Sequence, residues 1–114
     1  MRYLWHATSE EYLNSILENG IRPGDDGQVY LCEQPKEAIR FIMFRNLETV
    51  VTIKIAVSEE DEPNIKESFD HDYDFFKCKA YGHWGAIPKE KIAGYEVYEK
   101  RRKPTEEMME DKGQ

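Results

Sequence analysis

Cysteine and long apolar runs are scarce in this sequence, and both absences narrow the class of protein. The two cysteines, Cys32 and Cys78, lie far apart and do not form a CxxC pair. They do not make the disulfide framework of a small secreted protein, so we expect two reduced thiols. No apolar run approaches the roughly 20 residues of a membrane-spanning helix, and residues 1–6 are too few and too polar for a signal peptide. We therefore expect a soluble, cytoplasmic protein without membrane contact.

Positive charge is also in short supply. The chain has 16 lysines and arginines against 23 aspartates and glutamates, which gives a formal net charge of -7. An acidic chain repels phosphate backbones. The balance therefore argues against nucleic acid as a partner, although it leaves room for a locally basic pocket.

The spacings that bind metal ions in known motifs are missing as well. The acidic run 70–74 fails as an EF-hand because Phe75 stands where the loop needs glycine. His71, Cys78 and His83 do not have the spacing of zinc ligands. We predict no metal site and interpret the acidic run as a solvated loop.

What remains is a chain with the size and composition of one globular domain. It has 114 residues, of which 39% are apolar, so one core can form without disulfide bonds or structural metal ions. An early pair of helices followed by separated strands is typical of the α+β class. We predict a domain over residues 1–99 and a charged C-terminal tail over residues 100–114 that is frayed or disordered.

The first half of the chain predicts two strands and two helices. A strand is expected over Tyr3–Ala7, followed by a helix with Thr8 as its N-cap and Glu11 completing a capping box. Gly20 is expected to end this helix at positive φ. A second strand over Val29–Cys32 precedes a helix with Pro35 in its first turn and an apolar stripe of Ala38, Ile39, Ile42 and Met43.

The second half predicts more strands. Thr49–Val57 is rich in β-branched residues and is the clearest strand in the chain. Ser58–Asp72 is expected to be a polar surface loop, and Tyr73–Tyr81 a strand that the segment Gly82–Gly85 breaks. A helical turn near Ile87–Ile92 and a strand over Gly94–Glu99 complete the domain.

Three short segments in the first third of the chain carry the functional interpretation. They are His6-Ala7-Thr8, then Ile16-Leu17-Glu18-Asn19-Gly20-Ile21-Arg22-Pro23, then Gln28-Val29-Tyr30-Leu31. In this order and spacing they resemble ADP-ribosyltransferases of the poly(ADP-ribose) polymerase and diphtheria-toxin type. The stretch Gly85-Ala86-Ile87-Pro88 up to Ile92 resembles a late element of small bacterial and phage members.

The resemblance implies both a fold and a substrate. The fold would be a split β-sandwich of two small antiparallel sheets with two flanking helices around a cleft. The substrate would be NAD, with ADP-ribose transferred to a macromolecule, preferably a protein. The chain has alanine where the family prefers glycine, between the histidine and the threonine.

The same resemblance implies a role for each site residue. His6 would hydrogen-bond the adenosine-side ribose, the Ala7 backbone would bind the nicotinamide carboxamide, and Thr8 would hold a ribose or cap the helix. Tyr30 would stack on the nicotinamide ring, with an offset-stacking gain of about 1 kcal/mol. His6 and Tyr30 are the candidate catalytic residues, and Arg22 completes the candidate NAD-binding set.

One expected residue is missing. Enzymes of this type place a glutamate on a late strand, near the position of Ala80, but neither Lys79 nor Tyr81 beside it is acidic. This leaves two alternatives to an active transferase. The domain could be catalytically silent and bind a nucleotide or a protein partner, as an inhibitor or interaction module. It could also act as an RNA 2′-phosphotransferase, a class that lacks this glutamate and uses several basic residues, for which this chain offers Arg2, Arg22, Arg40 and Arg45.

The same residues also allow purely structural interpretations. A lone histidine such as His6 is often an interior residue, Thr8 is first of all an N-cap, and Tyr30 could be a core aromatic. The pair His83-Trp84, between two glycines, could line the cleft or fill the edge of the core.

Overall fold

A computed structural model of the chain describes residues 1–42, 48–68 and 80–99, and these residues form an α+β domain, as predicted. Within these ranges, two short α-helices and three single 3₁₀ turns lie among the strands. The helices are α1 (Leu13–Asn19) and α2 (Pro35–Ile42). The strands are β1 (Arg2–Ser9), β2 (Gln28–Cys32), β3 (Thr49–Val57), β4 (Ile65–Ser68), β5 (Ala80–Trp84) and β6 (Ile92–Glu99).

The strands form one antiparallel sheet in the order β4-β5-β2-β1-β3-β6. The β1–β3 ladder is long and runs from Arg2↔Val57 to Ser9↔Val50. The register between β1 and β2 contains a single pair, Trp5↔Cys32. The sheet is therefore two three-stranded halves that meet at one narrow junction.

This arrangement corrects the expected split sandwich of two sheets. In the described ranges the two halves stay in one sheet, because the Trp5↔Cys32 pair still connects them. Beyond that pair the two strands are no longer in register with each other.

The larger part of the core lies on the face of the sheet that α1 covers. Side chains alternate between faces along a strand, so Leu4 of β1 and Val51, Ile53 and Ile55 of β3 point to this face together. They pack with Ile16 of α1 in one buried cluster. Full burial of each large aliphatic side chain contributes about 1.5–3 kcal/mol, so this face supplies most of the stability.

The other face carries a smaller cluster under α2. Ala38 and Ile42 of the helix pack on Ala7 and Cys32, with Trp5 at the margin. Small side chains at positions 7 and 38 let the helix approach the sheet closely. The β1–β2 junction is thus enclosed on this side by α2.

The start of the first helical segment differs from the prediction. Thr8 belongs to β1, where it pairs with Val51 and is buried. Ser9 is the cap instead, since its Oγ accepts the Glu11 N–H at 3.4 Å and opens a 3₁₀ turn at Glu10–Tyr12. Pairing with β3 holds Thr8 in the extended conformation, which suits a β-branched residue.

Two other predictions were wrong because pairing with a neighbouring strand again outweighed the local sequence. The predicted surface loop contains β4, because Ile65 is buried in the core and residues 65–68 pair with β5. The predicted strand break at Gly82 is also absent, because β5 continues through it to Trp84 and ends at Gly85, where φ is 88°.

Three predicted boundaries agree with the structure, whereas β1, β2 and β6 extend one or two residues beyond their predicted ends. β3 spans the predicted residues 49–57, α2 begins at Pro35, and Gly20 ends α1 with φ of 84°. The predicted strand residues 73–79, the acidic run 70–74 and the tail 100–114 lie outside the described residues. In the part of the chain that is described, no helix has the length and apolar character needed to cross a membrane.

The segment after α1 is tied to the segment after β5. The Gly20 N–H donates to the Ile16 carbonyl at 2.8 Å, and Ile21 and Ile87 exchange two backbone hydrogen bonds of 2.8 and 2.9 Å. A side chain at Gly20 would overlap the Ile87 carbonyl. The positive φ and the close backbone approach both require glycine here.

We predict that Gly20→Ala lowers the free energy of unfolding by about 2–4 kcal/mol, because strain at positive φ and overlap with the Ile87 carbonyl add. Urea unfolding followed by circular dichroism measures it. Gly94→Ala is the matched control, since a side chain at Gly94 meets no atom within 4 Å. Equal stability of Gly20→Ala and the control would contradict this account of the turn.

Candidate functional site

His6 lies at the β1–β2 junction and connects the two half-sheets through its side chain. Its Nδ1 is 2.9 Å from the backbone carbonyl oxygen of Tyr30. A carbonyl can only accept, so Nδ1 is the protonated nitrogen and donates this hydrogen bond. In the neutral imidazole Nε2 is then the acceptor. The fold thus selects one tautomer of His6 and sets the orientation of the ring.

A cleft of about 400 Å³ opens beside His6 on the face that α1 covers. It combines an imidazole, hydroxyls, a carboxamide and a guanidinium over an aliphatic floor. This is a donor and acceptor set suited to sugar hydroxyls and to an anionic group. The lining residues are His6, Thr8, Tyr12, Ser15, Ile16, Asn19, Gly20, Ile21 and Arg22.

The cleft brings three predicted site residues together, two from β1 and one from the segment after α1. His6 and Thr8 lie two residues apart in β1 and therefore share a face of the sheet. Arg22 is exposed and follows the Gly20–Ile21 turn, which the hydrogen bonds to Ile87 hold in place.

Tyr30 lies at the same junction, but its ring is not among the side chains that line this cleft. Val29 and Leu31 point into the core on the α1 face, so alternation places the Tyr30 ring on the opposite face. Its hydroxyl donates to Asp26 Oδ2, and the Gln28 N–H donates to Asp26 Oδ1 at 3.1 Å. The hydrogen bond from Tyr30, followed by that from Gln28, holds the pKa of Asp26 below its ordinary value.

Ala7 is buried, and its methyl group packs with Cys32 and Ala38 under α2. The need for a small residue at this position therefore has a packing cause. Its side chain points away from the cleft that His6 and Thr8 line. Binding of a carboxamide by its backbone stays a prediction.

The position where a glutamate was expected holds no carboxylate. Ala80 is 0% exposed and lies between Cys32 and Ser68 in the sheet. An ionised carboxylate at a site this buried would carry a large desolvation cost. On one side of it Tyr81 donates its hydroxyl to Glu33 at 3.0 Å, and on the other Lys79 is outside the described residues.

His83 and Trp84 do not line the cleft. His83 is buried on the core face, with Nδ1 3.1 Å from the Gly85 carbonyl oxygen. Trp84 is 49% exposed on the other face, so it does not fill the edge of the core either. The described ranges also contain no group of three or more His, Cys, Asp or Glu side chains able to hold a metal ion.

Sequence reasoning missed part of the cleft wall and the partner of Tyr30. Tyr12, Ser15 and Asn19 lie three and four residues apart, a spacing that puts them on one helix face, so the signal was present. The sequence around Asp26 is typical of a turn and gives no signal for its contact with Tyr30. Its contact with Tyr30, four residues later, depends on how the turn at Gly27 folds back.

Comparison with known proteins gives two informative matches. The chain is 53% identical over 36 residues to "Probable RNA 2'-phosphotransferase 2" of Archaeoglobus fulgidus, a match that covers 32% of this chain and only 17% of that relative. A solved mutant of heat-labile enterotoxin, whose description concerns an active-site loop of the A subunit, aligns with a TM-score of 0.62 at 16% identity. That alignment covers 84% of this chain and 67% of the other. No protein-family model matches the chain.

These matches establish the fold. The chain has the ADP-ribosyltransferase-like fold, which confirms the resemblance inferred from the three segments around His6, Arg22 and Tyr30. The enterotoxin match is too distant in sequence to carry more than architecture. The phosphotransferase match is closer but local.

We predict that His6 is the Nδ1–H tautomer at neutral pH, since the Tyr30 carbonyl requires a proton on that nitrogen. Long-range proton–nitrogen NMR correlation of the imidazole measures it. A proton on Nε2 alone would contradict the geometry of the junction.

Two substitutions of His6 distinguish the roles of its two ring nitrogens. In His6→Asn the amide NH₂ takes the place of Nδ1–H, whereas the longer side chain of His6→Gln places its amide near Nε2. We expect His6→Gln to lose about 1 kcal/mol more stability than His6→Asn, the size of one hydrogen bond. Urea unfolding measures both, and equal stability of the two variants would show that the junction does not depend on this bond.

Proposed function

We propose that this domain binds NAD as a substrate and transfers its ADP-ribose to a macromolecular acceptor, with a protein as the leading class. The observation that carries the proposal is the fixed His6 imidazole, whose Nδ1 is engaged by the Tyr30 carbonyl at 2.9 Å. Its Nε2 is then the acceptor, beside Thr8 and Arg22 in the same cleft. The ADP-ribosyltransferase-like fold supports the choice of NAD, because families of this fold typically use it.

The residues of the cleft suit the ADP-ribose part of NAD. Nε2 of His6 can accept a hydrogen bond from a ribose hydroxyl, and the Thr8 hydroxyl can donate or accept one. The Arg22 guanidinium presents a planar set of donors to a diphosphate. A volume of about 400 Å³ falls within the range of small-molecule sites.

The reaction would proceed at the nicotinamide end of the substrate. The bond between ribose C1′ and the pyridinium nitrogen breaks, and its electron pair stays on nicotinamide. A lone pair of the acceptor forms the new bond at C1′, and the acceptor loses its proton to water. The protein contributes by holding both partners and stabilising developing positive charge. In this scheme the nicotinamide end of NAD crosses the β1–β2 junction to the face that carries the Tyr30 ring. There Tyr30 stacks on the leaving ring, and the Ala7 backbone holds the carboxamide.

RNA with a 2′-phosphate is the second candidate acceptor, favoured by the local identity of 53% with the named phosphotransferase. The placement of the basic residues makes RNA a weaker candidate acceptor than protein. Arg2 is bound by both carboxylate oxygens of Glu62 at 3.0 Å, Arg40 is on α2, and Arg45 is outside the described residues. Arg22 is therefore the cation in the described part of the cleft, on a chain of net charge -7.

We predict that the wild type binds NAD in a calorimetric titration and that His6→Asn weakens binding about tenfold, the loss of one or two hydrogen bonds. This variant keeps the amide donor to Tyr30, so the junction survives. Arg22→Gln should weaken binding similarly, whereas Lys66→Gln, an exposed cation on β4, serves as the control. NAD binding that is equal in all four proteins would place the nucleotide elsewhere.

The acceptor needs a separate assay. Purified protein is incubated with labelled NAD and either a protein extract or an RNA oligonucleotide that ends in a 2′-phosphate. Label on protein that His6→Asn fails to produce supports the leading proposal. Label or phosphate release on the RNA alone selects the second candidate, and NAD binding without nicotinamide release selects the silent, partner-binding domain.

A further inference from the structure

Asp26 and Tyr30 form a hydrogen-bonded pair that the proposed chemistry has not yet used. Both carboxylate oxygens of Asp26 are engaged, Oδ2 by the Tyr30 hydroxyl and Oδ1 by the Gln28 N–H at 3.1 Å. The carboxylate is on the turn that leads into β2, and the phenol is on β2 itself. The pair is therefore formed within five residues of chain.

The turn between them is held on two sides. Gly27 has φ of 82°, and its carbonyl accepts the Gly85 N–H at 2.9 Å. The Trp84 ring lies 3.5 Å from where a side chain at Gly27 would begin. The hydrogen bond between Gly85 and Gly27 ties the turn that carries Asp26 to the end of β5.

β5 also makes room for the side chains on this face of β2. Gly82 lies opposite Tyr30 in the ladder, and a side chain at Gly82 would overlap the Gln28 side chain. The surface around the Tyr30 ring is thus shaped by an adjacent strand with no side chain at the facing position. The Gln28 side chain occupies the space above Gly82.

Tyr30 joins this pair to the cleft. Its carbonyl oxygen holds His6, and its hydroxyl holds Asp26. Ala80, where related enzymes would supply a carboxylate, is fully buried and has none to offer. Within the described residues, the carboxylate of Asp26 is the one that bonds to the candidate catalytic residue Tyr30.

We propose that Asp26 is a positioning residue for Tyr30 and that the Asp26–Tyr30 pair presents a negatively polarised ring face to the cationic nicotinamide ring of NAD. This inference rests on the proposed function. A phenol that donates to a carboxylate becomes richer in electrons, and an aromatic face attracts a cation. The polarised ring would stabilise the pyridinium and the positive charge that develops as the C1′–N bond breaks.

The pKa of Asp26, held below its ordinary value by the Tyr30 hydroxyl and the Gln28 N–H, is consistent with this role. A carboxyl group with a lowered pKa is ionised throughout the neutral range. Tyr30 is then the donor of the shared proton, and the negative charge stays on Asp26.

The test compares binding of NAD with that of NADH, because the two differ in the charge of the nicotinamide ring. Calorimetric titrations use the wild type, Asp26→Asn, Tyr30→Phe, the double variant, and Asp25→Asn as a matched control. Asp25 is the adjacent exposed carboxylate, so its loss changes net charge equally.

We expect Asp26→Asn and Tyr30→Phe each to weaken NAD about tenfold, the size of a partly desolvated cation–π contact, with NADH affinity unchanged. The double variant should be no weaker than either single variant, since both remove the same interaction. Asp25→Asn should match the wild type for both nucleotides. Asp26→Glu should recover part of the preference for NAD.

The outcomes distinguish failure of the inferred role of Asp26 from failure of the proposed function. Equal NAD binding by the wild type, Asp26→Asn and Tyr30→Phe would overturn the role of Asp26 while leaving the NAD site intact. Parallel loss of NAD and NADH affinity would show a merely structural pair, which also overturns it. Binding of neither nucleotide by the folded wild type would remove both the inference and the proposed function.

Discussion

The hydrogen bond from His6 Nδ1 to the Tyr30 carbonyl is the contact on which the site depends. It lies where the β1–β2 register consists of the single pair Trp5↔Cys32. A sheet that separates beyond one pair leaves backbone groups in need of partners, and buried backbone groups are rarely left unpaired. The imidazole satisfies one of them, and in doing so it acquires a fixed tautomer and orientation. This hydrogen bond therefore joins the half-sheets together with the Trp5↔Cys32 pair, and it also prepares a functional group.

The cleft follows from three segments that hold each other in place. β1 continues to Ser9 because Thr8 and Ser9 pair with β3, and this extension brings the Thr8 side chain to the same face as His6. The 3₁₀ turn and α1 then cross that face, where Tyr12 of the turn and Ser15 and Asn19 of the helix line the cleft. The hydrogen bonds between Ile21 and Ile87 fix the path of the chain into Arg22. The late segment 85–92 thus holds the chain that leads into Arg22, although none of its residues lines the cleft.

Local chemistry explains what the sequence could predict. The β-branched run Thr49–Val57, the start of α2 at Pro35 and the end of α1 at Gly20 were predicted correctly, because each is decided by residues within a few positions. The three segments that resemble ADP-ribosyltransferases also predicted the fold. Of the candidate site residues, His6, Thr8 and Arg22 meet in one cleft, while the Tyr30 ring and the Ala7 side chain lie on the other face.

Competition between distant segments explains what the sequence could not predict. Thr8 is a good N-cap in isolation, but pairing with Val51 keeps it in the strand and passes the cap to Ser9. β4 has a polar, acidic sequence and becomes a strand only because β5 offers an edge and Ile65 reaches the core. Asp26 meets Tyr30 through a turn whose shape depends on Trp84 and Gly85, far away in sequence. Such choices depend on tertiary pairing, which overrides local propensity.

The central claim is that NAD binds across the β1–β2 junction. Nitrogen-15 NMR of the labelled protein, titrated with NAD, tests it most directly because every backbone amide reports at once. The account predicts the largest shift changes at His6, Thr8, Arg22 and Tyr30, on two strands and a turn that only the fold brings together. Shift changes confined to the edge strand β6 would contradict the account. The absence of any change at saturating NAD, in a folded sample, would also contradict it.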